Sequence, residues 1–353
     1  MAAGWIRRDY SLTGREGRLA REKGLATAQW YACPIPRKRI KELMQRRDGP
    51  AIRDTLIWIA SFAVTGGLAW YLWGSWWSAP FFAAYGVLYG SSTDSRWHEC
   101  GHGTAFRTRW LNDAIYQIAC FMILREPTVW RWSHARHHTD TIIVGRDPEI
   151  AAQRPPNIRG LLLNLFAIGS SATAIRKLLL HTVGRLDPEE ATYIPETERP
   201  RVYRVARIWV AIFAAVAASC LYLGTILPAM FIGLPTFYGG WLTIVFGLTQ
   251  HAGLAEDVLD HRLNSRTVYM NPVLRFLYWN MNYHIEHHMF PMVPYHALPS
   301  LHEALKADMP PAINGLWHAY REIIPALLRQ VRDPGYCLTR TLPAPAKLAT
   351  DTA

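Results

Sequence analysis

Residues 282–288 read Asn-Tyr-His-Ile-Glu-His-His, and this short segment places three imidazoles within five residues. An aromatic run, Phe-Leu-Tyr-Trp, precedes it at residues 276–279. If the segment is helical, His284 and His288 stand four apart on one face, with His287 beside them. Neutral imidazole is the commonest side-chain ligand for first-row metal ions in proteins. The segment therefore predicts a metal site.

Two further histidine clusters extend this pattern. One pairs His98 with His102, and the other holds His134, His137 and His138. Together the three clusters contain eight of the 14 histidines in the chain. A ligand set so rich in imidazole and so poor in thiolate suits iron, copper or zinc. The clustering predicts two metal ions, because four or five imidazoles on each ion would use the whole set.

The first cluster also supports an alternative function, because residues 98–102 read His-Glu-Cys-Gly-His. Two histidines four apart on a helix, with a glutamate as general base, match the zinc-protease pattern. A membrane-embedded zinc hydrolase using His98, Glu99 and His102 is therefore the alternative. Such an enzyme needs three protein ligands and an open position. The chain offers eight or nine imidazoles, which favours a pair of redox-active metal ions.

Composition and apolar segments predict an all-α integral membrane protein. The 353-residue chain is 50% hydrophobic and carries a formal charge of +11. A helix of roughly 20 apolar residues crosses the hydrocarbon layer. Such segments predict four transmembrane helices in two hairpins, at residues 54–76, 79–97, 207–224 and 229–250. The five cysteines lack paired spacing, so we expect free thiols.

The charge distribution predicts how these helices lie in the membrane. The turns near Ser78 and Thr225 are uncharged, whereas residues 1–53 carry 13 Lys or Arg against five Asp or Glu. The positive-inside rule then predicts that both termini and the active site face the cytoplasm, at the inner membrane if the cell is bacterial. No nucleic-acid-binding motif accompanies the charge, so we expect the lipid bilayer, and no nucleic acid, as a partner.

These expectations divide the chain into three parts. Residues 1–53 form a basic cytoplasmic segment, residues 54–341 a membrane domain, and residues 342–353 a disordered tail. Within the membrane domain, residues 98–206 and 251–341 form a helical cytoplasmic cap that carries the histidine clusters. Residues 159–182 are expected to form a surface helix in this cap.

Single polar residues extend the candidate site. His251 follows the predicted fourth span as His98 follows the second, which marks it either as a ninth ligand or as a cap for helix carbonyls. Asp94 precedes His98 by four residues and is expected to orient an imidazole. Further candidates for orienting a ligand or contacting substrate are Asp140, Asp147 and Asn282.

In this order the clusters HxxxH, HxxHH and HxxHH resemble those of the membrane fatty acid desaturase and hydroxylase superfamily. The similarity covers residues 54–305, with one hairpin before the second cluster and one after it. The resemblance implies a non-haem di-iron monooxygenase or desaturase that uses O₂ and two electrons. His251 is similar to an extra histidine that some members carry near the end of the fourth span. The implied iron ligands are His98, His102, His134, His137, His138, His284, His287 and His288.

The resemblance also implies a reaction, in which an unactivated C–H bond of a fatty-acyl lipid is desaturated or hydroxylated. Substrate placement, rather than the ligand set, selects between the two outcomes. Residues 260–264 and 294–296 are in addition similar to the rhizopine-oxygenase and rhizobitoxine-desaturase branch. That branch implies a small amine- or amino-acid-like substrate and a Rieske-type ferredoxin with its reductase. We expect a separate ferredoxin because neither end of the chain carries a cytochrome b5-like motif, and the basic face suits an acidic carrier.

Overall fold

The computed structural model describes residues 8–343, and these are predominantly helical. Within this range the chain divides into two compact units. The polar unit comprises the residues up to Arg46, Ser133–Asn157 and the chain from Phe246 onward, and the span unit comprises Arg47–Trp132 and Ile158–Val245. The predicted all-α class is confirmed, whereas the predicted division into three parts stays a prediction. Residues 344–353 of the predicted disordered tail lie outside the described residues.

The α-helices of the described residues are, in chain order, α1 Glu16–Glu22, α2 Arg37–Leu43, α3 Asp48–Tyr71, α4 Ser78–Gly86, α5 Ser92–His102, α6 Arg109–Met122, α7 Pro127–Thr139, α8 Ile158–Asn164, α9 Ile168–Thr182, α10 Arg199–Leu223, α11 Leu227–Phe231, α12 Pro235–Gly239, α13 Trp241–His251, α14 His261–Asn264, α15 Pro272–Leu277, α16 His284–Met289, α17 Leu298–Leu305 and α18 Leu316–Arg332. A π-helical turn, Val87–Ser91, joins α4 to α5. Two short strands, β1 Val268–Tyr269 and β2 Ile313–Asn314, pair in parallel.

Within residues 8–343, three helical stretches are long and apolar enough to cross a membrane: Arg37–Tyr71, Glu196–Leu223 and Leu227–His251. They match the first, third and fourth predicted spans, and each begins earlier than predicted. For the first and third spans the difference arises because hydropathy does not register the polar first turns of a helix. In α3, for example, Asp48 accepts hydrogen bonds from the amide and hydroxyl of Thr108 at 2.9 and 2.7 Å.

The predicted second span, residues 79–97, is helical but is not among those stretches of the described chain. Its second half is polar, and side chains such as Ser92 and Thr93 are fully buried inside the span unit. Another candidate for a membrane-crossing segment is the pair α8 and α9, whose axes are bent by 78° across a short break. If the pair is counted as one broken span, it is the fourth candidate within the described residues. This pair replaces the single surface helix expected at residues 159–182.

Paired glycines let α4 and the π-helical turn approach α12 closely in the span unit. A Cβ atom built on Gly239 would lie 1.8 Å from the carbonyl oxygen of Gly86, and one built on Gly90 would lie 2.8 Å from the nitrogen of Gly240. Glycine at such positions allows helix backbones to touch, as it does in membrane helix pairs. The contact fixes the helix that continues into α5 and carries the first histidine cluster.

Short elements of the polar unit hold the third histidine cluster. In the parallel strand pair, Val268 lies opposite Ile313. The Asn282 side-chain amide donates to the Val268 carbonyl at 2.8 Å, and the Val268 amide donates to the Asn282 carbonyl at 2.9 Å. These bonds anchor the chain just before α16, which therefore begins at His284 in a fixed orientation.

Candidate metal centre

Four imidazoles converge in the polar unit. His137 on α7, His251 at the end of α13, and His284 and His288 on α16 each present one ring nitrogen, and these nitrogens lie within 4.8 Å of one another. Nε2 of His284 is 3.0 Å from Nε2 of His251 and 3.0 Å from Nε2 of His288. Three of the rings are buried and that of His251 is half-buried. Residues distant in sequence thus form one all-nitrogen cluster.

Hydrogen bonds behind two of these rings determine which nitrogen carries the proton. Nδ1 of His251 lies 2.8 Å from the Asn264 carbonyl oxygen, and Nδ1 of His137 lies 2.8 Å from a carboxylate oxygen of Asp147. Both oxygens can only accept a hydrogen bond, so each Nδ1 donates. In a neutral imidazole the other nitrogen, Nε2, then holds a bare lone pair.

Thr141 determines the proton position in a third ring. Its hydroxyl donates to the His137 carbonyl at 2.7 Å and lies 3.2 Å from Nδ1 of His288. Because the hydroxyl has only one hydrogen, it accepts from His288, and Nε2 of His288 is also bare. When His137 is neutral, three Nε2 lone pairs face one buried space, an arrangement that is unfavourable unless a proton or a metal ion lies between them. The donor set fits a first-row metal ion.

A second set of imidazoles lies in the same unit, on α7 and α16. Nε2 of His138 is 3.1 Å from Nε2 of His134 and 3.2 Å from Nε2 of His287. The Glu149 carboxylate accepts from Nδ1 of His134 at 3.0 Å, which again leaves an Nε2 lone pair facing its neighbours. This set also fits a metal ion.

The first histidine cluster lies in the span unit, on α5. His98 is buried and His102 half-buried, and their ring centroids are 5.2 Å apart, as the four-residue spacing predicts. Between them Glu99 is fully buried and accepts a hydrogen bond from the Thr104 hydroxyl at 3.1 Å. A glutamate so placed does not resemble the water-accessible general base that the zinc hydrolase alternative requires.

Burial controls the protonation of the converging rings. Burial lowers the pKa of His284 and of His288 well below the usual value, and the neighbouring imidazoles lower it further. These rings are therefore neutral, which is the form that binds a metal ion. Burial also lowers the pKa of His137, but the Asp147 carboxylate outweighs this effect and raises it to about 8. A carboxylate behind an imidazole makes that ring a more basic ligand.

The other predicted site residues have different partners. Asp147 contacts a converging imidazole, as an orienting carboxylate would. Asp140 pairs with two arginines at 2.9 and 3.7 Å, and Asp94 pairs with Arg125 at 2.5 Å. Asn282 bonds to strand backbone. The roles of Asp94, Asp140 and Asn282 toward a ligand or substrate stay predictions.

Several residues around the centre were not found from the sequence. Glu149 lies two residues after Asp147, so a search of that loop for carboxylates could have found it. Glu286 is fully buried inside the third cluster, where it accepts a hydrogen bond from Thr267 at 2.5 Å and contacts Nδ1 of His302. Sequence spacing carries no signal for that pairing, because Glu286 and His302 lie on different helices.

Comparisons with known proteins agree with this arrangement. A family model described as "Fatty acid desaturase" matches residues 71–320, more than half of the chain. An Arabidopsis thaliana acyl-lipid omega-3 desaturase (cytochrome b5) of the endoplasmic reticulum is 23% identical over 280 residues, which cover 72% of this chain and 69% of the relative. The Caenorhabditis elegans delta(12) fatty acid desaturase fat-2 is 24% identical over 295 residues, which cover 78% and 73%.

A chloroplastic sn-2 acyl-lipid omega-3 desaturase (ferredoxin) of Arabidopsis thaliana is 24% identical over 281 residues, covering 72% of this chain and 60% of the relative. Identities at this level establish relatedness without fixing substrate. The three histidine clusters, the converging Nε2 lone pairs and the extent of the family match lead to the same conclusion. The chain belongs to the fatty acid desaturase family.

Proposed function

We propose that this protein is an O₂-dependent membrane desaturase that removes hydrogen from unactivated C–H bonds of a fatty-acyl chain. The observation that carries the proposal is the convergence of Nε2 atoms from His137, His251 and His288 in one buried space. Family membership supplies the reaction class, and the converging lone pairs supply the metal-binding chemistry.

We propose two iron ions as the resident cofactor. When bound, the iron pair supplies the O₂ activation that an attack on an unactivated C–H bond requires. His98 and His102 are included as ligands on the spacing of the first cluster alone. One ion would be held by His137, His251, His284 and His288. Ligands of the other would include His134, His138 and His287.

The polypeptide itself orients the imidazoles and excludes water. Asp147, Thr141 and the Asn264 carbonyl accept the Nδ1 hydrogens of three rings, so that the Nε2 lone pairs stay directed inward. Groups of this kind behind metal ligands typically change metal affinity or activity about 10- to 100-fold when they are removed. Burial of the rings keeps bulk water away from the reacting centre.

A fatty-acyl substrate is supported by the relatives, whose names specify acyl-lipid omega-3 and delta(12) fatty acid desaturation. It also agrees with helices long enough to place the protein in a bilayer. Desaturation and hydroxylation begin with the same loss of hydrogen, and the position of the second C–H bond decides between them. We place this chain with the desaturases on the names of its relatives.

We further propose a multi-pass membrane protein with both termini and the histidine clusters on the cytoplasmic side. The uncharged turn near Thr225 and the basic N-terminal segment support this orientation. The electrons would come from a separate one-electron carrier, and a ferredoxin is the first candidate. One relative is named for ferredoxin and another for cytochrome b5, so both carriers occur in the family.

The function is tested by expressing the protein in a bacterial host with a ferredoxin and its reductase, and analysing cellular acyl chains by mass spectrometry. We expect an acyl chain that has lost two hydrogens, absent from a matched culture expressing His288→Ala. A hydroxylated chain would instead place the protein among hydroxylases. Unchanged acyl chains from an iron-loaded protein that consumes an amine substrate would contradict the proposal.

A further inference from the structure

Three aromatic rings form a continuous stack from the protein surface to His288, one of the converging imidazoles of the polar unit. The Trp30 indole stacks on the His261 imidazole with a centroid separation of 4.3 Å and an interplanar angle of 5°. Toward the protein interior, His261 stacks on His288 with a centroid separation of 5.1 Å and an interplanar angle of 28°. Exposure falls along this path, since Trp30 is half-buried while both histidines are 3% exposed.

The position of each ring is fixed by its neighbours. The Trp30 indole N–H donates to the Thr139 carbonyl at 3.1 Å. The amide of the next residue, Tyr31, donates to the Leu259 carbonyl at 2.8 Å. His261 begins the short helix α14, whose last residue, Asn264, supplies the carbonyl that holds His251. The same helix thus positions both a proposed iron ligand and the middle ring of the stack.

We propose that Trp30 and His261 form the path by which electrons reach the metal centre. This inference rests on the proposed function, which requires two electrons per turnover from a separate carrier. Electron tunnelling weakens steeply with the gap between groups, and rings in van der Waals contact leave the smallest gaps. Trp30 is half-buried and His261 is buried, so Trp30 is the ring of this path that a docked carrier can approach.

The charge of the adjoining segment agrees with this path. Seven residues after Trp30 the chain enters α2, where Arg37, Lys38 and Arg39 are exposed. A basic surface steers an acidic partner toward it and raises the association rate. Such a carrier, docked beside α2, would place its redox group near the outer ring of the stack.

The electron balance of the path is simple. Each reduced carrier would give up one electron, which Trp30 and His261 would pass to the iron that His288 would help to hold. Two carriers supply two electrons, and two protons come from the medium. Together with the two hydrogens removed from the acyl chain, they reduce one O₂ to two waters. Trp30 and His261 are unchanged at the end of the cycle.

If the stack only stabilised the fold, replacing Trp30 would leave the rate of iron reduction unchanged. The test therefore measures electron transfer directly. A ruthenium–bipyridine photoreductant is attached at Gln29→Cys, an exposed site next to Trp30, with the half-buried thiols removed by Cys220→Ser and Cys337→Ser. The iron-loaded, oxidised protein is flashed without O₂ or substrate, and loss of the ferric absorption gives the reduction rate. Iron content is measured in every sample.

We expect Trp30→Leu and His261→Leu each to slow reduction by roughly an order of magnitude while iron content is retained. Trp30→Phe, which keeps a ring in place, should give an intermediate rate. Trp317→Leu is the matched control, because Trp317 lies 74% exposed on α18 of the same unit, and its rate should equal that of the parent. If the His261→Leu protein loses iron, its reduction rate cannot be compared with that of the parent. The Trp30 variants alone then test the electron path.

Iron-loaded Trp30→Leu protein that is reduced as fast as the parent would overturn the electron path and leave the proposed function intact. A parent protein that binds no iron would instead overturn the proposed function, and the path with it. Equal slowing in Trp317→Leu would show that the variants act through general loss of structure, which also contradicts the path.

Discussion

Asp147 and Asp140 are close in sequence, yet their carboxylates face different partners. Asp147 accepts from Nδ1 of His137 at 2.8 Å, whereas Asp140 pairs with arginines. We predict that Asp147→Asn lowers metal affinity about 10- to 100-fold, because the neutral amide weakens the hold on the ring and its basicity. Asp140→Asn is the control and should keep its metal. Metal content is measured by elemental analysis after dialysis. Equal metal loss in both variants would show that the metal is lost through disturbance of residues 140–147, and not through loss of the contact between Asp147 and His137.

Glu126 provides a pH-dependent test away from the metal ligands. It is 5% exposed and accepts from the Val129 amide at 2.7 Å, at the start of α7. Burial raises its pKa from 4.5 to about 7, although the Val129 amide works in the opposite direction. The folded protein therefore holds a proton here that the unfolded chain releases near pH 4.5, and this stabilisation is lost as the pH rises toward 7.

We therefore predict that Glu126→Gln, which is neutral at every pH, becomes more stable relative to the parent between pH 5 and pH 8. The gain is on the order of 3 kcal/mol at most. Thermal unfolding of the two proteins in detergent at both pH values measures it. A stability difference that does not change with pH would show that the Glu126 carboxyl group titrates normally.

Among the structural elements, the glycine contact between α4 and α12 carries the sharpest prediction. Gly239→Ala places a methyl group where the Gly86 carbonyl lies, so the helices must separate. Overpacking of this kind typically costs about 1–3 kcal/mol. Gly67→Ala is the control, because nothing lies within 4 Å of its added Cβ and it sits inside α3. Thermal unfolding should show a large loss for Gly239→Ala only.

Element positions were predictable where one physical signal dominates. Apolar length located the three helical stretches that are long and apolar enough to cross a membrane, and four-residue spacing placed His98 and His102 on one helical face. The start of α3 was not predictable from hydropathy, because Asp48 is fixed by a contact with Thr108, far away in sequence. His251 was predicted as either ligand or cap. Its Nδ1 does meet a carbonyl, that of Asn264, while its Nε2 faces His284.

At the scale of the whole molecule, the prediction concerns the side of the membrane on which each end of the chain lies. We predict that tags at Met1 and Ala353 are both accessible from the cytoplasm, because basic residues concentrate in the N-terminal segment. A tag in the turn near Thr225 should be accessible only from the other side. Protease protection in oriented vesicles measures all three positions. Ends on opposite faces would exclude an even number of crossings.

We propose that the clustered imidazoles hold a pair of iron ions. Elemental analysis of the purified protein tests this proposal, with the amount of metal measured against the amount of protein from amino-acid analysis. We predict about two iron atoms per chain and little zinc, since imidazole-rich sites suit iron and the clustered histidines supply ligands for two ions. One zinc atom per chain and no iron would contradict it and restore the hydrolase alternative.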